Sequence, residues 1–361
     1  MSAGADVGAA AALAGTRVLD TGGTGFLGRH VLPQLLAEGA RVTCLVRPAS
    51  DAGRLPEGVA VARGDCATGE GLDAALAGQD ICIHMAALLF GLGWQDYLRA
   101  NGRAAARLAR AAQGSPTLGR LVLVSSLAAA GPSADPATAP GTPGTSGTPG
   151  APAIPCRAVS AYGWSKLLAE QILGRALGER LVVLRPPIIY GSGDRGLLPV
   201  FRGVARGVAV SPGLGRDFPV SVIHADDAAR GILLACGPAA SGTYYLDDGA
   251  RHDMASFCRA MGVALGRKHV TILRLPLALM AVTAALGSGA GVAAAGLARL
   301  AHLRPPRRPP NWNFDKYREA RAPGWLCCAR RIREELGFAP RMDLEAGMAE
   351  TVAGYRREGW L

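Results

Sequence analysis

The chain alternates short apolar runs with stretches whose apolar residues recur every three or four positions. The run Arg17-Val18-Leu19 leads through Thr21-Gly22-Gly23-Thr24-Gly25-Phe26-Leu27-Gly28 into a helical pattern over 29–38, and Val42 to Val46 is apolar again. Strand, glycine turn, helix and strand together fill about the ~30 residues that a βαβ unit needs. Further strands are predicted at 59–63, 81–87, 121–124, 181–185, 220–224 and 244–247. Helices are predicted over 102–112, around Tyr162 to Lys166, from Asp226 or Asp227 as a cap, over 253–265, and again after Trp325. This alternation predicts an α/β fold, a doubly wound parallel sheet with a smaller, mostly helical C-terminal domain. Residues 16–190 form the first domain, completed by 219–248; residues 191–218 and 249–361 form the second.

Two motifs carry chemistry. Glycines at 22, 25 and 28 let the chain turn tightly, let its backbone approach a pyrophosphate, and let the helix pack on its strand, with the N–H groups of the helix N-terminus facing the anion. Tyr162 and Lys166 stand at i and i+4, so on a helix the phenol and the ammonium share a face. The strand at 121–124 ends in Ser125-Ser126.

In that order, the glycine turn, the serine, and the tyrosine with its lysine resemble the short-chain dehydrogenase/reductase superfamily. Chain length and later motifs resemble its extended branch, the NAD-dependent epimerase/dehydratase family, which includes sugar-nucleotide epimerases, dihydroflavonol reductases and 3β-hydroxysteroid dehydrogenases. The resemblance covers about residues 16 to 361 and implies a Rossmann-type sheet. It places Ser126, with Ser125 as the fallback, and Tyr162 and Lys166 in catalysis. Around the dinucleotide it places Gly22, Gly25, Phe26, Leu27 and Gly28 at the phosphates and the small residues Ala86 and Ala87 beside them. Lys166 would bind the ribose, and the backbone of Pro186 would flank the nicotinamide. Asp65 would meet the adenine amino group or is an ordinary strand-end turn residue. Asn101 would support the active-site backbone or is a helix N-cap. His84 reads as a packed strand-end histidine, and Asp226 and Asp227 as structural acids. The position that holds an acid on the ribose in NAD-binding members is Val46 here, with Arg47 next to it. An acid there repels a 2′-phosphate and a guanidinium binds one, so NADP(H) is expected over NAD(H). The tail Leu336-Gly337-Phe338-Ala339-Pro340 is similar to that of extended members.

The resulting expectation is an NADP(H)-dependent oxidoreductase that interconverts a secondary alcohol and a ketone on a largely apolar, sterol- or isoprenoid-like substrate. The alternative within enzymes is a nucleotide-sugar epimerase, dehydratase or reductase, with Arg202, Arg206 and Arg216 on the substrate diphosphate. A non-catalytic dinucleotide-binding regulator is the alternative of another class. Tyr162 would move the proton, Lys166 would favour its phenolate, and Ser126 would hold the substrate oxygen.

Composition narrows the partners. The formal charge is +11, but the basic residues are scattered, with no basic run interleaved with aromatics, so no nucleic-acid partner is expected. None of the eight cysteines has zinc-ligand spacing, and adjacent Cys327-Cys328 is unsuited to a disulfide, so no metal and a reduced, cytoplasmic setting are expected. Residues 1–15 are Ala-rich, lack a basic stretch and read as a disordered leader. A homodimer through helices of the first domain is implied by the resemblance alone.

Three stretches leave questions. Residues 132–155 are dense in Pro, Gly, Thr and Ala, and no packed structure is expected at their centre, which reads as an expanded loop tip rather than a lid. Residues 275–298 carry no formal charge, and Gly287 to Gly291 divide them into two expected short apolar helices, with Arg299, Arg304, Arg307 and Arg308 following. They would wall an apolar cleft, touch a membrane surface through 275–308, or span a bilayer. Asp20 stands where relatives bury Val or Ile, where it either braces the glycine turn or weakens cofactor binding.

Overall fold

A computed structural model of the chain describes residues 13–91, 93–143, 145, 156–300 and 310–361. Seven strands form the central sheet: β1 Arg17–Thr21, β2 Arg41–Val46, β3 Ala60–Arg63, β4 Ile81–His84, β5 Arg120–Val124, β6 Leu181–Arg185 and β7 Gly242–Tyr245. Their order is β7-β6-β5-β4-β1-β2-β3 and every neighbour is parallel. Strand order reverses between β1 and β4, and the crevice at their C-terminal ends is where such sheets bind ligands.

Period-two alternation divides each strand between two cores. Val18, Ile83, Val122 and Val182 face helices α1 (Gly28–Ala37) and α4 (Ala225–Cys236), which supply Val31, Leu32, Leu35 and Ile232. Leu19, Cys82, Leu121 and Leu123 face α2 (Ala104–Gly114) and α3 (Ala161–Leu177), which supply Leu108 and Leu173. A third core in the C-terminal lobe gathers Tyr190, Phe201, Phe257, Met348 and Tyr355 around α5 (Met254–Ala264) and α7 (Leu344–Arg357). His30 joins the lobes: its Nδ1 lies 2.6 Å from Asp226 Oδ1 and its Nε2 lies 2.9 Å from the Ser192 carbonyl.

Several local expectations change. Residues 1–12 of the leader lie outside the described residues, but Leu13 is buried in the first core and Gly15 N donates to Gly39 O. The region read as two apolar helices is one helix, α6, Leu277–Leu300. A helical glycine costs about 1 kcal/mol, but here two of the residues expected to break the helix hold the returning chain. A Cβ on Gly287 would lie 2.5 Å from Trp312 O, and Ser288 Oγ accepts from Phe314 N. Of the stretch 132–155, whose centre was expected to lack packed structure, the flank 132–143 is tied to the C-terminal lobe. Leu326 N donates to Ser133 O, Cys328 N donates to Pro140 O, and Ala139 is buried; residues 144 and 146–155 lie outside the described residues. The tail departs from the expected division too, since Ala329, Ile332 and Phe338 join the first core. Strands Val208–Pro212 and Thr271–Leu275 pair in parallel within the mostly helical second domain, where no strands had been predicted at these positions.

One buried ion pair crosses from sheet to helix. Arg185, at the end of β6, donates to both carboxylate oxygens of Glu170 on α3 and to the Tyr245 hydroxyl, while Ser125 Oγ donates to Glu170 Oε1. The two side chains are 6% and 8% exposed. Removing one member of such a pair leaves an uncompensated buried charge. Glu170→Ala is therefore expected to lower stability by roughly 3–5 kcal/mol in urea denaturation. A loss below about 1 kcal/mol would show that water reaches the guanidinium.

Candidate active site

The glycine turn sits at the β1–β4 reversal. Gly22 has φ +110°, and a Cβ on it would come 2.7 Å from Ala86 N, which itself donates to Thr21 O. A Cβ on Gly28 would lie 2.2 Å from Gly23 O, so the helix can start flush against the turn only with glycine there. Gly25 is exposed at the crest, Phe26 and Leu27 are half-buried, and the first turn of α1 has no side-chain cap. An uncapped helix N-terminus behind an exposed glycine fits the phosphates of a dinucleotide.

Asp20 lies directly beneath. It is fully buried, accepts from Cys44 Sγ at 3.5 Å, lies so close under Gly23 that a Cβ there would be 2.5 Å from its Oδ1, and its Oδ2 has no partner. Burial pushes its carboxyl up to about 7 against the opposing effects of Cys44 and the Gly23 backbone, and burial beside Asp20 pushes the Cys44 thiol up to about 12. Asp20 therefore braces the turn from inside the sheet.

Among the other expected cofactor residues, Ala86 and Ala87 border the crevice, and Pro186 is buried with its carbonyl accepting from Leu127 N. Arg47 is exposed just past the end of β2. Asp65 Oδ1 accepts from Ala67 N in a local turn. Asn101 is not an N-cap: it is buried in a widened turn, Leu98–Arg103, of a helical run that continues into α2. Its Oδ1 accepts from Leu88 N, and its Nδ2 donates to Ser165 Oγ at 2.9 Å, tying the β4 loop to α3. The cap of α4 is His224, whose Nδ1 accepts from Asp226 N. Asp226 itself pairs with His30, and Asp227 accepts from Arg341 N and Met342 N, so both acids are structural. His84 is packed at the end of β4, 2.6 Å from Thr21 Oγ1, and burial, then the Lys166 charge, holds its pKa at about 3.

At the ends of β5 and α3 the two serines separate. Ser125 turns into the Glu170–Arg185 pair, whereas Ser126 caps the helix Leu127–Ala130, its Oγ accepting from Ala128 N. Ser160 caps α3 and so orients Tyr162 in its first turn. Lys166 is buried one turn on; its Nζ donates to Val124 O at 2.6 Å, and burial, opposed by Glu170, brings it down to about 8.

A third element reaches this centre, and nothing in the sequence spacing flagged it. The helix Phe314–Ala320, capped by Asn313, lies against the start of α3. Asp315 accepts from Ala161 N at 2.6 Å and Tyr162 N at 3.2 Å, and Glu319 accepts from Ser160 Oγ at 2.7 Å. Lys316 Nζ pairs with Glu319 at 2.9 Å and stands 4.8 Å from the Tyr162 ring centroid. Burial raises the Tyr162 pKa, Lys316 and Ser126 oppose that rise, and Glu319 adds to it. Beside this helix a cleft of about 520 Å³ is lined by Pro132, Val159, Phe314, Arg318 and Ala322. Of the arginines considered for a diphosphate, Arg216 donates to Pro212 O and Ala320 O, while Arg202, which also donates to Trp360 O, and Arg206 line one cavity of about 400 Å³ with Arg267 and Arg356. Among the described residues no cluster could hold a metal ion, and all eight cysteines are unpaired.

The sequence profile of the NAD dependent epimerase/dehydratase family matches residues 18–245. The ceramide reductase of Caulobacter vibrioides is 31% identical, over 94% of this chain and 95% of its own. A ketoreductase of Stigmatella aurantiaca, acting on 4-hydroxy-2-methyl-3-oxo-4-farnesyl-3,4-dihydroquinoline-1-oxide, is 29% identical, over 92% and 94%. Among solved structures, the Thermus thermophilus UDP-glucose 4-epimerase complexed with NAD superposes with a TM-score of 0.67 at 21% identity, over 94% of this chain and 99% of that one.

The buried Asp20 makes stability depend on pH. Its folded-state pKa is raised, so its protonated form is favoured on folding; stability is full below the unfolded value and is lost as pH rises through about 7. The loss is on the order of 4 kcal/mol between pH 4 and 8. Asp20→Asn removes that component, so the wild-type-minus-variant difference in urea-derived stability should fall with pH. A flat difference would mean that the carboxyl titrates normally.

Proposed function

This chain belongs to the NAD dependent epimerase/dehydratase family of the extended short-chain dehydrogenase/reductase superfamily, and on that premise we propose that it is an NADP(H)-dependent oxidoreductase interconverting a secondary alcohol and a ketone on a largely apolar, lipid-like substrate. The observation that carries the reaction type is the close packing of the Ser126-capped turn Leu127–Ala130 on the first turn of α3, where a Cβ on Gly163, next to Tyr162, would lie 2.3 Å from Ala128 O. When bound in the crevice, the dinucleotide supplies or accepts the hydride. In the reducing direction Tyr162 gives its proton to the substrate oxygen, Ser126 donates to that oxygen and fixes its position, and the buried cations oppose the charge left on the phenol. Gly22, Gly25 and Gly28 would hold the phosphates and Lys166 the ribose. Arg47, exposed beside apolar Val46, favours the 2′-phosphate of NADP(H).

The apolar substrate rests on α6. It is the one helix among the described residues long and apolar enough to cross a membrane, yet only 17% of its apolar window is buried. Leu286, Leu297 and Leu300 are each at least two-thirds exposed. A helix apolar on all sides finds cover in lipid rather than in a one-sided groove, and the arginines that follow it in the sequence suit an anionic surface. We therefore place the enzyme at the cytoplasmic face of a membrane, drawing substrate from it. The relatives named for ceramide and for a farnesylated quinoline support a lipid-like ketone. The nucleotide-sugar reading has less support, because Arg216 already serves backbone carbonyls and the cavity lined by Arg202 and Arg206 has none of Ser126, Tyr162 and Lys166 in its wall.

Three measurements test this reading. Nicotinamide fluorescence should show NADPH binding at least about tenfold tighter than NADH, a difference of roughly 1.4 kcal/mol, and Arg47→Glu should abolish the preference; retained NAD⁺ would favour an epimerase instead. Tyr162→Phe should slow NADPH-dependent reduction of long-chain ketones by roughly 10²–10⁴-fold with folding intact, and unchanged turnover would sink the mechanism. The protein should sediment with vesicles rich in anionic lipid, and Leu286→Asp with Leu297→Asp should release it; sedimentation unaffected by that pair would remove α6 from the contact.

A further inference from the structure

The cation expected beside the Tyr162 phenol was Lys166, four residues along the same helix. In the structure the Lys166 ammonium is bound to Val124 O. The ammonium over the phenol ring comes from a different lobe, 154 positions away in the contact between Asp315 and Ala161 that brings it there. We propose that Lys316 is a positioning residue for proton transfer, holding the Tyr162 ring from its face and balancing the negative charge that the phenol acquires when its proton leaves.

The geometry is over-determined. Lys316 Nζ is 4.8 Å from the Tyr162 centroid and 5.5 Å from that of Phe90, and its side chain is only 20% exposed. A cation within about 6 Å of an aromatic face is attracted to it, and the attraction grows when the ring carries a phenolate. Glu319 holds the ammonium at 2.9 Å, while its other oxygen takes the Ser160 hydroxyl that caps α3. Asp315 grips the amides of Ala161 and Tyr162 themselves. Backbone and ring of Tyr162 are thus held by three charged positions of one short helix. The other groups facing the ring are Ser126 from the end of β5 and Tyr97, whose ring is 6.0 Å away and whose phenol burial keeps protonated. Of the nearby acids, Glu319 opposes the effect of Lys316 on Tyr162. Burial works against the charge on Lys316, but Glu319, Tyr162 and Asp315 outweigh it.

The proposal rests on the proton-transfer role given to Tyr162, in which the phenol proton passes to the substrate oxygen and is replaced from solvent. Its test needs neither substrate nor dinucleotide. With 3,5-difluorotyrosine at position 162, a ring that titrates nearer neutrality, the ¹⁹F resonance reports its ionisation in the otherwise intact chain. Lys316→Gln should raise the midpoint by about one pH unit or more, Lys316→Arg should keep it near wild type, and Lys166→Met should move it less than Lys316→Gln does. An unmoved midpoint in folded Lys316→Gln overturns the proposal, as does a larger response to Lys166→Met. Should Lys316→Gln not fold, Lys316→Met is read by the same criteria. A shifted midpoint in a protein whose Tyr162→Phe variant keeps full activity would separate a sound contact from a wrong reaction.

Discussion

The pairing of Arg185 with Glu170 is the interaction on which the reacting groups depend. It fastens the middle of α3 to the end of β6 inside the protein, where each charge is tolerable only because the other, with Ser125 and Tyr245, satisfies it. One turn before Glu170 lies Lys166, and one turn before that lies Tyr162. Fixing the helix at Glu170 therefore sets the height of the phenol above β5. The same pair consumes Ser125, which leaves its neighbour Ser126 as the serine that faces the phenol. A structural charge pair thus takes one of two adjacent serines out of the crevice and leaves the other for the proposed reaction.

The second hold on α3 comes from the other lobe. Asp315 and Glu319 close on its N-terminus, where helix-end amides attract carboxylates. The helix is anchored in its interior by the sheet and at its tip by the C-terminal lobe. His30, bound to Asp226 and to Ser192, fixes the lobes to one another on the glycine-turn side. The chain is an NAD(P)-dependent oxidoreductase of the short-chain type, and these ties give it a reaction centre assembled from both lobes before any ligand arrives.

The sheet, the glycine turn and the shared helix of Tyr162 and Lys166 were legible because each rests on local pattern: period-two strands, a φ-positive Gly22, and i, i+4 spacing. What was not legible depends on tertiary contacts. Gly287 and Ser288 look like part of a helix break until Trp312 and Phe314 are seen to need them. Asn101 and Asp226 look like caps until their side chains are seen to cross to α3 and to α1. Residues 132–143 look featureless because their partners, at 326 and 328, supply the order from outside. Lys316 was invisible for the same reason, as its partner lies far back in the chain.

The return of the chain after α6 has a consequence for exchanging parts between relatives. Trp312 packs on Gly287, and a few residues later Asp315 holds the backbone of Tyr162. The exposed apolar surface of α6 and the grip on the Tyr162 backbone are therefore neighbours on one continuous strip of chain. A chimera cut before Trp312 trades only the apolar surface. One cut beyond Glu319 brings along part of the donor's proton-transfer apparatus. On the proposed reading the cut site then determines whether a swap changes what the enzyme accepts or whether it works at all.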